Sequence, residues 1–170
     1  MTGSLRKLTT TVLAVAVFAA TAYAKDFSDF FQYFIDLDSW HGGIPQGSVV
    51  ELDDKGFMSS WRTYRKDGSI FTLYVMQSLS DKGLWENPLE VALSDNNTYS
   101  KNIELNGLSG AYSANTTGMD GSASFPLVTE MGSNKAICIT IFEFYNIKES
   151  ALVEIVSMFS LSSIRSECQN

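Results

Sequence analysis

Hydrophobic and polar residues alternate most clearly along Lys55–Ser80, on both sides of Asp67-Gly68. That dipeptide is typical of a two-residue hairpin turn, because both central positions of the turn need a positive φ. The flanking runs, Phe57–Lys66 and Ser69–Leu79, are rich in β-branched and aromatic residues. The pattern therefore predicts a β-hairpin around which the other elements are arranged.

The predicted turn also sets the register of the hairpin. It places Tyr64 opposite Phe71 and Trp61 opposite Tyr74, as cross-strand aromatic pairs. One face then carries Met58, Ser60, Arg62, Tyr64, Phe71, Leu73 and Val75. The other face carries Phe57, Trp61, Thr63, Arg65, Ile70, Thr72, Tyr74 and Met76. Since neither face is purely polar, we expect the hairpin to be covered at least partly on both sides.

Three segments outside the hairpin are predicted to be helical. Asp26–Leu37 carries apolar residues at helical spacing, and Trp85–Leu93 has Pro88 in its first turn. A closing helix begins near Glu149, and its apolar face extends to Ile164. These segments would lie on the sheet that the strands form.

The remaining alternating segments predict strands. They are Ser48–Asp53, Ser100–Leu105, Leu108–Thr116, Ser124–Met131 and Ala136–Phe144. Pro126 would make its strand an edge strand or a bulged one, because proline cannot donate a ladder hydrogen bond. The predicted class is α+β, with a mostly antiparallel sheet of about six to seven strands and N-terminal and C-terminal helices packed on it.

Residues 1–24 have the three parts of a cleaved secretory signal. Arg6 and Lys7 precede the apolar stretch Leu8–Ala20, and Ala22-Tyr23-Ala24 matches a small-residue cleavage site. The apolar stretch is short for a membrane span, which needs about 20 residues. We therefore expect a single α+β domain over residues 25–170, located in the periplasm or secreted.

Charge narrows the range of partners. The chain has 12 Lys+Arg and 19 Asp+Glu, and the signal segment contains two of the bases and no acid. The remaining domain therefore has a net charge of 10 − 19 = −9. Such a chain is poorly suited to nucleic acid, where contacts to phosphate dominate affinity. The acidity would suit a basic protein partner, and solubility is the simpler interpretation of the charge.

Cys138 and Cys168 are the only cysteines. In an oxidising compartment such a pair often forms a disulfide, and here the closed loop would span about 30 residues. In the chain-entropy view, a loop of that size stabilises the fold by about 3–4 kcal/mol. Two free thiols, with Cys138 simply buried, are the alternative.

Catalytic signatures are missing from the sequence, and no cofactor or metal site is expected. A Ser-His-Asp or Cys-His arrangement would have to use His41, the single histidine. His41 and Trp40 lie in a glycine-rich loop, where binding residues are common, although a core plug and a solvated loop residue are the simpler interpretations. Arg62 and Arg65 fall within the hairpin strands, where an arginine either pairs with an acid or binds an anion.

Several segments together resemble small secreted bacterial proteins of unknown function with a Mog1p/PsbP-like layout. They are Trp40, Pro45-Gln46-Gly47, Trp61-Arg62-Thr63-Tyr64 before Asp67-Gly68, Asn106-Gly107-Leu108-Ser109-Gly110, and the closing helix Ala151–Ile164. The resemblance implies an antiparallel sheet with helices at the termini. It also implies accessory, assembly or binding work rather than catalysis, and it assigns no functional residue.

Three hypotheses about function follow. The first is a non-catalytic periplasmic interaction protein, either an accessory factor or an immunity-type inhibitor. The second is a binder of a small apolar or amphipathic ligand, held between sheet and helices. The third is a hydrolase that uses scattered carboxylates or His41. The absence of catalytic motifs favours the first.

Overall fold

A computed structural model describes residues 26–52, 55–89 and 98–170. The predicted signal peptide lies outside these ranges. The described chain forms a 3₁₀ helix at Phe27–Tyr33, and its strands are β1 (His41–Gly42), β2 (Gln46–Leu52), β3 (Lys55–Lys66), β4 (Ser69–Ser78), β5 (Trp85–Glu86), β6 (Thr98–Leu105), β7 (Leu108–Asn115), β8 (Gly121–Thr129) and β9 (Lys135–Tyr145). Two α-helices follow, α1 (Glu149–Ser157) and α2 (Leu161–Gln169).

All nine strands of the described residues belong to one antiparallel sheet, in the order β1-β3-β4-β9-β8-β7-β6. The strand β2 also pairs with β3, and β5 pairs with β9. The α+β class and the antiparallel sheet are confirmed. The expected six to seven strands were too few, because β1 and β5 have only two residues each and no sequence pattern marks them.

The hairpin of β3 and β4 has the predicted register. Tyr64 lies opposite Phe71, and Trp61 lies opposite Tyr74. The rings of Tyr64 and Phe71 stack with centroids 4.5 Å apart. At the turn, Asp67 and Gly68 have φ angles of 49° and 79°, the left-handed values that this turn requires.

Pro126 lies in β8, which is an interior strand between β7 and β9. The register of β8 against β9 shifts between Pro126 and Val128. Of the two predicted consequences of this proline, the bulge is therefore confirmed and the edge position was wrong. The pairing of β8 with β7 ends at Ser124, so on that side no ladder hydrogen bond needs the N–H that proline lacks.

The helices pack on one face of the sheet and bury most of the core there. The 3₁₀ helix contacts β2 and β3, α1 contacts β6, and α2 contacts β8 and β9. Phe159, just beyond α1, meets Tyr64, Phe71 and Phe142 edge-on, and all four side chains are buried. Burying one such side chain contributes about 1.5–3 kcal/mol.

The opposite face, here called the open face, is covered by no helix of the described chain. It carries Trp61, Thr63, Thr72 and Tyr74 in half-buried positions. The hairpin was expected to be covered at least partly on both faces. On the open face, Trp85 covers one end, where its ring packs edge-on against Phe57 with ring centroids 5.8 Å apart.

The predicted helices need three corrections. The segment predicted from Asp26 forms a 3₁₀ helix of seven residues rather than a longer α-helix, since phenylalanines at spacing three suit either type. Trp85 and Glu86 pair with β9 as a strand, while residues 90–93 of that predicted helix lie outside the described ranges. The predicted closing helix is two helices in the structure, because α1 ends at Ser157 and α2 begins at Leu161.

Cys138 and Cys168 form a disulfide with their Cα atoms 6.2 Å apart. Cys138 is on β9, at the centre of the sheet, and Cys168 is in the last turn of α2. Gln77 on β4 adds a second link, because its Nε2 donates to the carbonyl oxygen of Cys168 at 3.0 Å. The end of the chain is thereby held against the sheet.

Candidate functional site

A groove of about 530 Å³ lies between α1 and the loop that follows the 3₁₀ helix. Its apolar surface comes from Ile35, Trp40, Ile155 and Met158, and its charged rim from Asp36, Asp38, Lys66 and Glu154. We call it the acid-rimmed groove. It joins residues more than 100 positions apart in the chain, so only the folded structure creates it.

The apolar surface of the groove is accessible. Ile35 is 39% exposed and Met158 is 56% exposed. Trp40 is half-buried, with its ring edge-on to Phe71 at a centroid distance of 5.0 Å. Large apolar side chains that remain accessible inside a polar rim are typical of an interaction site.

Arg62 holds the loop side of the groove in place. Its Nε donates to the carbonyl oxygen of Gly43 at 2.7 Å, while Nη1 donates to the carbonyl oxygen of Phe34 and Nη2 to Asp36. The Arg62 side chain is only 11% exposed. Gly42 packs directly on the guanidinium, and a Cβ there would lie 2.5 Å from Nη2.

Tyr64 supports the same loop from beneath. Its hydroxyl donates to the carbonyl oxygen of Ile35 at 2.9 Å, and its ring lies 5.1 Å from the guanidinium carbon of Arg62. Burial raises the pKa of Tyr64 from 10.0 to about 12, although the neighbouring positive charge of Arg62 acts in the opposite direction. The phenol therefore stays neutral and keeps donating up to strongly alkaline pH.

Stability should consequently fall between about pH 10 and about pH 12. In that window the unfolded chain has released the Tyr64 proton and the folded chain retains it, so the free energy of unfolding decreases as pH rises. Below pH 10 the contribution is complete. Urea unfolding across this range should show a shallower decline for Tyr64→Phe than for the natural chain. Identical slopes would contradict this role.

The four candidate binding residues from the sequence fall at two places. Trp40 lines the groove, and Arg62 lies behind it with an acid partner, which is one of the alternatives given for an arginine within the sheet. His41 and Arg65 are Cα partners across β1 and β3, and both are exposed. Arg65 belongs to the open face, so this pair lies away from the groove.

Sequence reasoning missed two groove residues, Glu154 on α1 and Met158 directly after it. Met158 does not belong to the apolar face that was predicted for the closing helix. A large apolar residue outside that face was the available signal for an exposed binding residue. Asp36 and Asp38 also line the groove and were not among the candidate binding residues. The groove therefore places the carboxylates of Asp36, Asp38 and Glu154 around an apolar surface. Such an arrangement can bind a group that is cationic and partly apolar.

No protein-family model matches the chain, and comparisons with curated proteins and with solved structures found no match. Within the described ranges, no helix is long and apolar enough to cross a membrane. In the same part of the chain, no three His, Cys, Asp or Glu side chains form a group that could hold a metal ion.

Proposed function

We propose that this chain is a non-catalytic protein of the periplasm or extracellular space, and that it binds a partner protein through the acid-rimmed groove. The observation that carries the proposal is the accessible apolar surface of Trp40, Ile35 and Met158 inside a charged rim. Accessory and assembly roles, which the resemblance to Mog1p/PsbP-like proteins implies, require such a contact, and so does an inhibitor role.

The composition of the groove supports a protein partner. Aromatic residues and methionine are enriched at the centres of interfaces, and charges are more common at the rim. Met158 is unbranched and adapts to the shape of what it meets. The groove therefore suits a side chain that fills it, surrounded by polar contacts.

The charges support a basic partner. Because Asp36 pairs with Arg62, the rim offers Asp38 and Glu154 against one base, Lys66, which donates to the hydroxyl of Ser39 at 2.8 Å. A net charge of −9 for residues 25–170 adds a long-range attraction. We therefore expect the partner to place an arginine or lysine over the apolar surface, with association that slows as salt is added.

Met158→Glu should abolish most of the binding. It places a charge on the apolar surface, and central interface residues commonly contribute about 2 kcal/mol or more, which corresponds to a loss of affinity of about thirtyfold. The measurement is capture of the partner from envelope extract by residues 25–170, followed by the affinity of the purified pair.

Met131→Glu is the matched control. Met131 is 99% exposed and lies in the turn between β8 and β9, at the opposite end of the sheet from the groove. Both variants should keep the natural melting temperature, because both positions are exposed. Equal capture by the two variants would exclude the groove as the binding site.

A further inference from the structure

A second depression, of about 880 Å³, lies where the end of α2 meets β3, β4 and β8. Its wall includes Met58, Gln77 and Val128 from the strands and Cys168 from α2. It shares no described residue with the acid-rimmed groove, so the two are separate sites.

Gln77 distinguishes this depression from the others. Only 9% of the residue is exposed. Its Nε2 donates to the carbonyl oxygen of Cys168 at 3.0 Å, whereas no group of the described residues donates to its Oε1. Within the described part of the chain, Oε1 of Gln77 is the one buried side-chain nitrogen or oxygen atom without a hydrogen-bond partner.

An acceptor in this position calls for a donor. A buried carbonyl oxygen without one destabilises the protein, and nearly all such atoms in folded proteins have a partner. Because Nε2 already bonds to Cys168, Oε1 of the same planar amide is turned away from that carbonyl. The terminal torsion of a glutamine is soft, so a small rotation brings Oε1 into contact with a donor held in the depression.

The rest of the wall decides which donor fits. Met58, Leu79, Val128 and Ile137 provide alkyl surface, and Leu79 is 43% exposed at the rim. Of the described residues that line the depression, none is basic, and the exposed Asp81 is the one acid. A ligand carboxylate would therefore be buried without a partner, which is costly.

An alcohol meets both requirements. Its hydroxyl supplies an O–H donor without bringing a charge, and its alkyl chain suits an apolar wall. Small-molecule sites typically combine such a wall with a few well-placed polar groups. Met58 on that wall is unbranched and adapts to the shape of a flexible chain.

We propose that this depression binds a small uncharged alcohol, whose hydroxyl donates to Oε1 of Gln77 and whose alkyl chain lies against Met58, Leu79 and Val128. The site does not rest on the proposed protein contact. It gives the chain a small-molecule function in addition to that contact.

The test titrates residues 25–170 with three probes at neutral pH and follows the NMR signals of the Gln77 side-chain amide. The probes are 1-hexanol, its isomer methyl pentyl ether, and hexanoate. 1-Hexanol should move these signals and bind about tenfold tighter than the ether, because a site that bonds a hydroxyl rejects an analogue without the donor. Hexanoate should leave the signals in place.

Three results with the natural chain would overturn the proposal. They are equal affinity for 1-hexanol and the ether, binding that leaves the Gln77 signals unmoved, and no saturable binding of 1-hexanol. The last of these would mean that Oε1 bonds only to a buried water.

Variants then locate the site. Gln77→Met keeps the length of the side chain and removes the acceptor, so it should bind the two isomers equally. Leu79→Glu places a carboxylate on the alkyl wall and should weaken 1-hexanol binding about tenfold. Ile44→Glu is its matched control, at an 86% exposed residue between β1 and β2, and should not weaken it.

Gln77→Met also removes the bond to Cys168, so its fold is checked by its melting temperature, and the isomer pair tests the natural chain independently. A preference for the alcohol that persists in Gln77→Met, or equal effects of the exchanges at Leu79 and Ile44, would contradict the proposal.

Discussion

Replacing Cys168 with serine should lower the free energy of unfolding by about 3–4 kcal/mol. The disulfide to Cys138 closes a loop of 30 residues, so its removal restores conformational freedom to the unfolded chain. It also frees α2, whose last turn is held to the sheet by that bond and by the hydrogen bond from Gln77. Urea unfolding at neutral pH measures the difference.

Reduction of the natural chain is the matched control, since it breaks the bond without changing a residue. Reductant should destabilise the natural protein by a similar amount and leave Cys168→Ser unaffected. If the natural chain is equally stable with and without reductant, the bond does not stabilise the fold. A stabilising disulfide would also favour the proposed oxidising location, because cytosolic thiols are kept reduced.

Arg62→Met should destabilise the protein by about 3 kcal/mol and loosen the groove. The substitution keeps the length of the side chain but leaves the carbonyl oxygens of Phe34 and Gly43 without their donor. Each buried polar group without a partner costs about 1–3 kcal/mol. Amide hydrogen exchange should also become faster over residues 34–43.

Arg65→Met is the natural comparison, because it removes the same charge three positions along β3. Arg65 is exposed, so its replacement should change stability by less than about 0.5 kcal/mol. Arg62→Lys should rescue little, since one ammonium cannot reproduce the planar set of donors. If Arg62→Met proved as mild as Arg65→Met, Arg62 would not hold the loop.

The hairpin of β3 and β4 was predictable because the residues that specify it are neighbours in the chain. Asp67-Gly68 specifies the turn, and the turn specifies the register of Tyr64 against Phe71. Helix type was less predictable. The segment at Phe27–Tyr33 follows a 3₁₀ path over β2 and β3, so its packing against the sheet overrides a spacing that also suits an α-helix.

The site was only partly predictable for a related reason. Trp40 and Arg62 were singled out, yet Arg62 bonds to backbone carbonyls, which no side-chain pattern marks. Glu154 and Met158 meet the loop only after α1 docks on the sheet.

Site-specific photo-cross-linking tests the proposed protein contact most directly. A photoreactive amino acid is placed at position 158 in the groove, or at position 131 as the distant control, and residues 25–170 are irradiated in envelope extract. The proposal predicts one cross-linked protein from position 158, none from position 131, and loss of the product when Glu154→Lys is added. Equal products from both positions, or a captured partner that never cross-links to position 158, would contradict it.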